Sequence, residues 1–155
     1  MRRWLCLLLL CLPLAAWAAD DLATGKALAA AAARLKGSPC RWGGASPAQG
    51  FDCSGFTQYV HAELGIRIPK RALDQFLGGL AVPEQALLPG DLVFFAPSGG
   101  GASMHVGVYQ GQGRFWHAPG SGKRVCLARM ASPFFKLRFM GARRWRAGAA
   151  DSSSR

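Results

Sequence analysis

A cysteine at position 53 follows a residue type that commonly caps helices, and this placement is the strongest chemical signal in the sequence. The surrounding residues 50–56 are GFDCSGF, so Asp52 can cap a helix that begins at Cys53 and continues to about residue 64. The dipole and the unpaired N–H groups in the first turn of a helix favour a thiolate and can also hold an oxyanion. Cys53 is therefore a candidate nucleophile. A small buried cysteine on an amphipathic helix is the alternative interpretation.

Two histidines on neighbouring predicted strands could supply the base that such a nucleophile needs. Alternation along the first strand places His105 and Gly107 on the same face of the sheet. If the turn consists of residues 111–113, Gly107 pairs with His117, which then lies diagonal to His105 with the Cβ atoms roughly 7–8 Å apart. His105 would accept the proton of Cys53, and His117 would orient the ring of His105. A two-residue turn would place the histidines on opposite faces, and chance convergence on one sheet is the alternative.

The elements that must position these side chains are helices followed by strands. The first helix is rich in alanine, and Gly and Pro residues separate the later segments. His61 lies among polar positions of the helix that carries Cys53, so we interpret it as a surface residue. Helices first and an antiparallel sheet afterwards predict an α+β domain. Helices are predicted at residues 20–36, 53–64 and 71–77, and strands at residues 92–96, 105–110, 114–118, 125–128 and 137–144.

The N-terminal segment has the composition of a secretory signal peptide. Two arginines precede a short apolar run, and AWA at residues 16–18 provides the small residues of a cleavage site, so we expect a signal peptide at residues 1–18. The run is shorter than the about 20 residues that a spanning helix needs. An uncleaved anchor and a lipid anchor on Cys11 are the alternatives. The prediction is an exported, periplasmic domain at residues 19–146, followed by a disordered tail at residues 147–155.

The charge balance is strongly basic, with a net charge of +11 and eight Lys or Arg residues between positions 123 and 146. Such a balance favours association with polyanions. Because export would separate the domain from nucleic acid, we expect no nucleic-acid partner and association with an anionic cell-wall or membrane surface. A solvated basic face with no specific partner is the alternative. The sequence does not indicate an oligomeric state.

Three cysteines remain outside the predicted signal peptide, namely Cys40, Cys53 and Cys126. An odd number leaves at least one free thiol in an oxidising compartment unless two chains pair, and such a leftover cysteine is a candidate reactive group. The three lack the close Cys-x-x-Cys spacing of structural zinc sites, so we expect neither a metal nor a cofactor.

Five short segments occur in a characteristic order along the chain. They are RWGG at residues 41–44, FDCSGF at residues 51–56, LPGDLVFF at residues 88–95, HVGVY at residues 105–109 and FWHA at residues 115–118. Together they resemble the NlpC family of papain-like peptidoglycan hydrolases, over approximately residues 27–144. The resemblance implies a papain-like α+β fold and a Cys-His-His site formed by Cys53, His105 and His117.

The resemblance also implies a reaction and a substrate. Members of the family hydrolyse amide bonds in cell-wall peptides, commonly between D-glutamate and a diamino acid or across D-alanyl-diamino acid cross-links. The chain is therefore expected to be a cysteine peptidase whose partners are peptidoglycan peptides. Asp52 and Ser54 match positions that recognise substrate in some relatives, and a pure capping role is the alternative for Asp52. A catalytically impaired wall-binding module is the main alternative function, and a thiol acyltransferase is a third hypothesis.

Cys40 departs from the pattern of the family. Many relatives carry a Tyr at this position, where it lines the site near the oxyanion. We expect an unpaired Cys40 that lines the cleft. A Cys40–Cys53 disulfide that blocks the nucleophile is the alternative, and it requires Cα atoms closer than about 7 Å. Cys126 competes as a disulfide partner, or packs as a small apolar residue in its strand.

Overall fold

The computed structural model describes residues 12–98 and 103–148. The α+β prediction is confirmed, and every predicted helix and strand is present with shifted ends. The helices are α1 (Leu12–Arg34), α2 (Cys53–Glu63), α3 (Ala72–Gly78) and α4 (Pro133–Lys136), with a 3₁₀ turn at Glu84–Ala86. The strands are β1 (Ala45–Ser46), β2 (Gly50–Phe51), β3 (Leu80–Val82), β4 (Leu92–Phe95), β5 (His105–Gly111), β6 (Arg114–His117), β7 (Cys126–Arg129) and β8 (Phe139–Arg144).

Helix α1 continues without interruption through residue 18, where the sequence predicts cleavage. Residues 1–11 of the predicted signal peptide and residues 149–155 of the predicted tail lie outside the described residues. The signal peptide, its cleavage and the tail therefore stay predictions. Within the described residues, none of the helices has both the length and the apolar character needed to cross a membrane.

A six-stranded antiparallel sheet with the order β3-β8-β4-β5-β6-β7 forms the scaffold. Its central strand β4 is buried along its whole length, as expected for a strand covered on both faces. Phe94 and Val106 face the core beneath α1 and α2. Phe95 and Phe115 face the opposite way and pack with Phe135 of α4. The sheet therefore separates two hydrophobic clusters, and the histidines lie on strands β5 and β6 between them.

The first turn of α2 is fixed by a cap and by close packing. Asp52 Oδ1 accepts a hydrogen bond of 2.7 Å from the backbone N–H of Gly55. A side chain at Gly55 would collide with a backbone oxygen of the preceding loop, so the glycine is required for this approach. Phe56 and Val60, one turn apart, are completely buried in the core beneath the sheet. These contacts determine where Cys53 lies.

His61 is completely buried, so the prediction of a surface position is wrong. Its Nδ1–H donates to the carbonyl oxygen of Thr57, one turn earlier, at 2.8 Å, whereas Nε2 is buried without a partner in the described part of the chain. Burial lowers the pKa of His61 to about 4, so the ring is neutral at neutral pH. The surface prediction for His61 relied on the polar residues around it. One of them, Thr57, also turns inward, where its hydroxyl donates to the side-chain oxygen of Gln75 in α3 at 2.8 Å.

The connection between β5 and β6 reaches the predicted register by an unexpected route. The turn contains only two residues, Gln112 and Gly113, with φ of 55° and 68°, as in a type I′ turn. Alone, this turn would place the histidines on opposite faces. A β-bulge in β5, just before the turn, adds one residue and restores the register, so that Val108 pairs with Trp116. The two histidines consequently share one face.

An ion-pair network ties α1 to the sheet. Asp91, which is 1% exposed, accepts two hydrogen bonds of 2.8 Å from the guanidinium of Arg144 in β8. Asp21 of α1 contacts Arg144 at 3.4 Å and accepts a 2.7 Å bond from Nε of Arg146. The hydrogen bond from Arg146 lowers the pKa of Asp21, and the hydrogen bond to Asp91 raises the pKa of Arg144. Both shifts favour the charged forms, so Asp21 and Arg144 stay ionised although the fold partly shields them from water.

Candidate active site

The first turn of α2, the ends of β5 and β6, and helix α4 surround a cleft of about 710 Å³. Cys53, His105 and His117 all line this cleft. The structure therefore brings together the three residues that the sequence predicts for the catalytic site. Among the described residues, no group of three or more His, Cys, Asp or Glu side chains could hold a metal ion.

The thiol of Cys53 lies beside the start of β5. Its Sγ is 3.8 Å from the carbonyl oxygen of Met104, which accepts the S–H. Burial raises the pKa of Cys53 and outweighs the backbone N–H groups of Val106 and Ser54, which lower it. At Cys53, burial thus acts against the effect expected of the helix start. Among the described hydrogen bonds, the thiol contacts Met104 and not His105.

The two histidines form a directly bonded pair. Nε2 of His105 lies 2.7 Å from Nδ1 of His117, and the rings are nearly perpendicular at 84°. Within the described residues, Nδ1 of His105 makes no hydrogen bond, so this atom is the one left for Cys53. Burial lowers the pKa of His105 to about 4. Burial, aided by the charges of His105 and Lys123, lowers the pKa of His117 to about 3, so both rings are neutral at neutral pH.

Phenylalanine rings enclose the histidine pair and account for much of its burial. Phe135 stacks on His105 with ring centroids 6.2 Å apart and an interplanar angle of 24°, and it meets His117 edge-on at 5.5 Å. Phe95 lies 6.5 Å from His105. The sequence prediction missed Phe135 because α4 is only four residues long. Its one signal was Pro133, which occupies the first turn, where proline is favoured.

Asp52 reaches the cleft, whereas Ser54 does not line it. Both carboxylate oxygens of Asp52 already accept backbone N–H groups, from Gly55 at 2.7 Å and from Gly43 at 3.1 Å. The carbonyl oxygen of Ser54 accepts a hydrogen bond from the side chain of Gln75. The capping role of Asp52 is therefore observed, and a role of either residue in substrate recognition stays a prediction.

Cys40 is unpaired, as expected, but it does not line the cleft, so that part of the expectation is wrong. It is 6% exposed and belongs to the core that also contains Phe51, with which its backbone forms an isolated bridge. Burial raises the pKa of its thiol. Cys40, Cys53 and Cys126 are all free thiols in the structure, so the Cys40–Cys53 disulfide is not formed.

Two cations line the cleft, Arg41 and Lys123. Both are exposed, and neither forms a salt bridge within the ranges that the structure describes. Trp42, 82% exposed, and Phe134, 48% exposed, add apolar surface to the rim. Such a lining suits a substrate that combines a peptide backbone with free carboxylates.

A cysteine at a helix start that faces histidines on an antiparallel sheet is the arrangement of the papain-like α+β fold. Residues 37–144 match the NlpC/P60 family, and the chain belongs to this family. An NlpC/P60 family protein from Bacillus cereus superposes with a TM-score of 0.71 at 36% identity, over 78% of this chain and 40% of that protein. The peptidoglycan hydrolase RipB from Mycobacterium tuberculosis superposes with a TM-score of 0.66 at 30% identity, over 81% of this chain and 66% of RipB.

Curated relatives with similar sequences are named as peptidases. Murein DD-endopeptidase MepH from Escherichia coli is 41% identical over 111 residues, which cover 70% of this chain and 41% of MepH. A gamma-D-glutamyl-L-lysine dipeptidyl-peptidase from Bacillus cereus is 39% identical over 130 residues, which cover 83% of this chain and 37% of that protein. The match thus spans well under half the length of either relative.

Proposed function

We propose that this chain is an exported cysteine peptidase that hydrolyses amide bonds in the peptide stems or cross-links of bacterial peptidoglycan. The observation that carries the proposal is the cleft that gathers Cys53, His105 and His117, with the two rings joined at 2.7 Å. Nucleophile, base and orienting group are the three parts that thiol-based acyl transfer requires. The names of MepH and of the dipeptidyl-peptidase support bonds of D-alanyl-diamino acid or D-glutamyl-diamino acid type.

The chemistry begins with a neutral pair. Because burial raises the pKa of Cys53 and lowers that of His105, the proton moves from Sγ to Nδ1 of His105 as Sγ attacks the amide carbon, rather than beforehand. Backbone N–H groups at the start of α2 donate to the oxyanion. Collapse of the tetrahedral intermediate breaks the C–N bond, and His105 protonates the leaving amine. Water, deprotonated by His105, then hydrolyses the thioester and regenerates the thiol of Cys53.

Several features favour a cell-wall peptide as the substrate. Stem peptides carry free carboxylates, and Arg41 and Lys123 place two cations in the cleft. Trp42 and Phe134 offer apolar rims for the aliphatic parts of the residues. MepH is named for its action on murein, which fits an extracytoplasmic location for this chain, and the predicted signal peptide would provide that location.

The test is digestion of purified peptidoglycan, followed by mass spectrometry of the released peptides. We expect the protein to release fragments whose new termini identify the bond, and Cys53→Ala to release none. Cys40→Ala is the matched control, because it removes a buried thiol that does not line the cleft. Thermal unfolding of each variant checks the fold.

Each alternative has its own outcome in the same experiment. Binding to peptidoglycan without release of fragments would indicate a wall-binding module. Products joined to an added amine would indicate an acyltransferase. Release at a similar rate by Cys53→Ala would contradict the assignment of the nucleophile.

A further inference from the structure

Cys126 is joined to the histidine pair on the side away from Cys53. Its Sγ lies 3.6 Å from Nε2 of His117, a hydrogen-bond distance for sulfur. The contact follows from the sheet, because Cys126 in β7 pairs directly with His117 in β6. His117 is 5% exposed, and Phe135 covers it from α4. The result is a continuous chain of side chains from Cys126 through His117 to His105.

The protons of this chain can be arranged in two ways, because each neutral imidazole carries one N–H and one acceptor nitrogen. If Cys126 donates its S–H to Nε2 of His117, then Nδ1–H of His117 donates to Nε2 of His105. The remaining proton of His105 then lies on Nδ1, which cannot accept a proton from Cys53. If Cys126 accepts from Nε2–H of His117, each bond reverses and Nδ1 of His105 is a free acceptor.

We propose that Cys126 is a positioning residue that accepts a hydrogen bond from Nε2–H of His117 and thereby holds both histidines in the tautomer in which His105 can act as a base. The catalytic significance of this role rests on the proposed function, since it matters only if His105 deprotonates Cys53. Cys126 touches neither the substrate nor the reacting atoms, and it acts through His117.

The surroundings of His117 favour a relay of neutral groups. His105 faces it from β5, Cys126 faces it from β7, and Lys123 approaches from the loop between β6 and β7. The charge of Lys123 opposes protonation of His117, and Phe135 supplies no acceptor. In the described structure, the thiol of Cys126 is the hydrogen-bond partner of Nε2 of His117, and a thiol sulfur can accept from an N–H. Sulfur is a weak acceptor, so the preference it gives is modest.

The direct test is the protonation state of the rings, measured by long-range ¹H–¹⁵N NMR on the wild-type protein at neutral pH. We expect both His105 and His117 to carry the proton on Nε2. A His117 protonated on Nδ1 would overturn the proposal. This measurement needs no substrate, so it decides the role of Cys126 even if the protein releases nothing from peptidoglycan, which is the outcome that would contradict the proposed function.

The second test compares Cys126→Ala, Cys126→Asp and the control Cys40→Ala. Loss of one neutral hydrogen bond predicts that Cys126→Ala lowers kcat about five-fold with KM unchanged, while the His117 signals show mixed tautomers. A carboxylate at position 126 is only an acceptor, so Cys126→Asp should restore kcat. It should also raise the pKa of the histidine pair and move the acid limb of the kcat/KM profile to higher pH.

Two outcomes would contradict the positioning role. One is a Cys126→Ala variant with unchanged kcat and unchanged tautomers. The other is Cys126→Asp with the same pH profile as the wild type. Cys40→Ala should leave kcat, tautomers and pH profile as they are, because among the described hydrogen bonds its thiol contacts neither histidine.

Discussion

The ion-pair network around Arg144 and the pair formed by His105 and His117 are both buried polar groups of one sheet, yet they use their hydrogen-bonding capacity differently. Asp91 and Arg144 satisfy each other through two bonds of 2.8 Å, and Asp21 adds a further charge. Within the described ranges, His105 makes one side-chain hydrogen bond and leaves Nδ1 open. The pKa of Arg144 is raised, which preserves its charge, whereas burial lowers the pKa of both histidines and removes theirs.

The difference separates stability from reactivity. A buried polar group stabilises a fold when its partners satisfy it fully. A group that must exchange a proton with a substrate keeps one position open, and burial shifts its pKa. Substitutions around Arg144 should therefore lower the free energy of unfolding, and substitutions of the histidines should lower the rate, with little overlap between the two effects.

Removal of the base should have the largest effect. His105→Ala should lower kcat/KM by about 1,000-fold or more, because general-base catalysis is lost. His117→Asn should retain more activity than His117→Ala, since an amide oxygen can still accept from Nε2–H of His105. Steady-state kinetics on a peptide identified from the digest measures both effects, and urea unfolding should show no loss of stability for His105→Ala. Equal losses for the Asn and Ala variants would contradict the orienting role of His117.

The charged network should give the opposite result. Asp91→Asn leaves the guanidinium of Arg144 without a full counter-charge and should lower the free energy of unfolding by about 3 kcal/mol. Catalysis should change less than about two-fold, because the substitution lies outside the cleft. Asp74→Asn is the control: Asp74 pairs with Arg71 on the surface, where such a pair contributes about 0.5 kcal/mol. The free energy of unfolding is measured in urea. A similar loss in both variants would contradict the idea that the buried network stabilises the fold more than a surface ion pair does.

His61 resembles neither region, since it is buried and neutral but has no role in the cleft. Its pKa is about 4 in the folded state against about 6.5 when unfolded. The unfolded chain therefore binds a proton first, and stability is lost as the pH falls from about 6.5 to about 4, by about 3 kcal/mol for this residue. His61→Leu and His61→Gln should both show a flatter dependence of the free energy of unfolding on pH. An unchanged slope in both variants would mean that His61 is not the titrating group.

The smallest effect concerns the basic surface. If the positive charge promotes association with the cell wall, binding to insoluble sacculi should weaken as salt rises beyond the point where the Debye length is about 8 Å. Cleavage of a short soluble stem peptide should be much less sensitive to salt. Binding that does not depend on salt would leave the cluster between residues 123 and 146 as an ordinary solvated surface.

The sequence predicted the fold class, the order of the elements and the meeting of Cys53 with two histidines, because each depends on local patterns such as a helix cap and strand alternation. The register of β5 and β6 was predicted from an assumed three-residue turn. The structure uses a two-residue turn and a bulge, whose effects on the register cancel. The turn and the bulge together give the predicted pairing of β5 with β6, which the turn alone would not give.

The errors share a physical cause, which is burial by parts of the chain that are distant in sequence. Gln75 of α3 bonds to Thr57, and Thr57 and His61 are both completely buried. At Cys53, burial raises the pKa of the thiol and so opposes the helix start, which lies next to it in sequence. Phe135 reaches the histidines from a helix too short to give a periodic pattern. None of these effects can be obtained from neighbouring residues alone.

The contact between Asp21 and Arg146 also determines where the two ends of the domain lie relative to each other. It places the early part of α1 and the segment that follows β8 within one hydrogen bond of each other, at residues that do not line the cleft. A module joined to the chain just before Asp21 or just after Arg146 would therefore start from nearly the same point on the domain surface. Consider a flexible linker that anchors the domain to a surface. Moving this linker from one end to the other should hardly change how far the cleft can reach, because the linker length sets that distance.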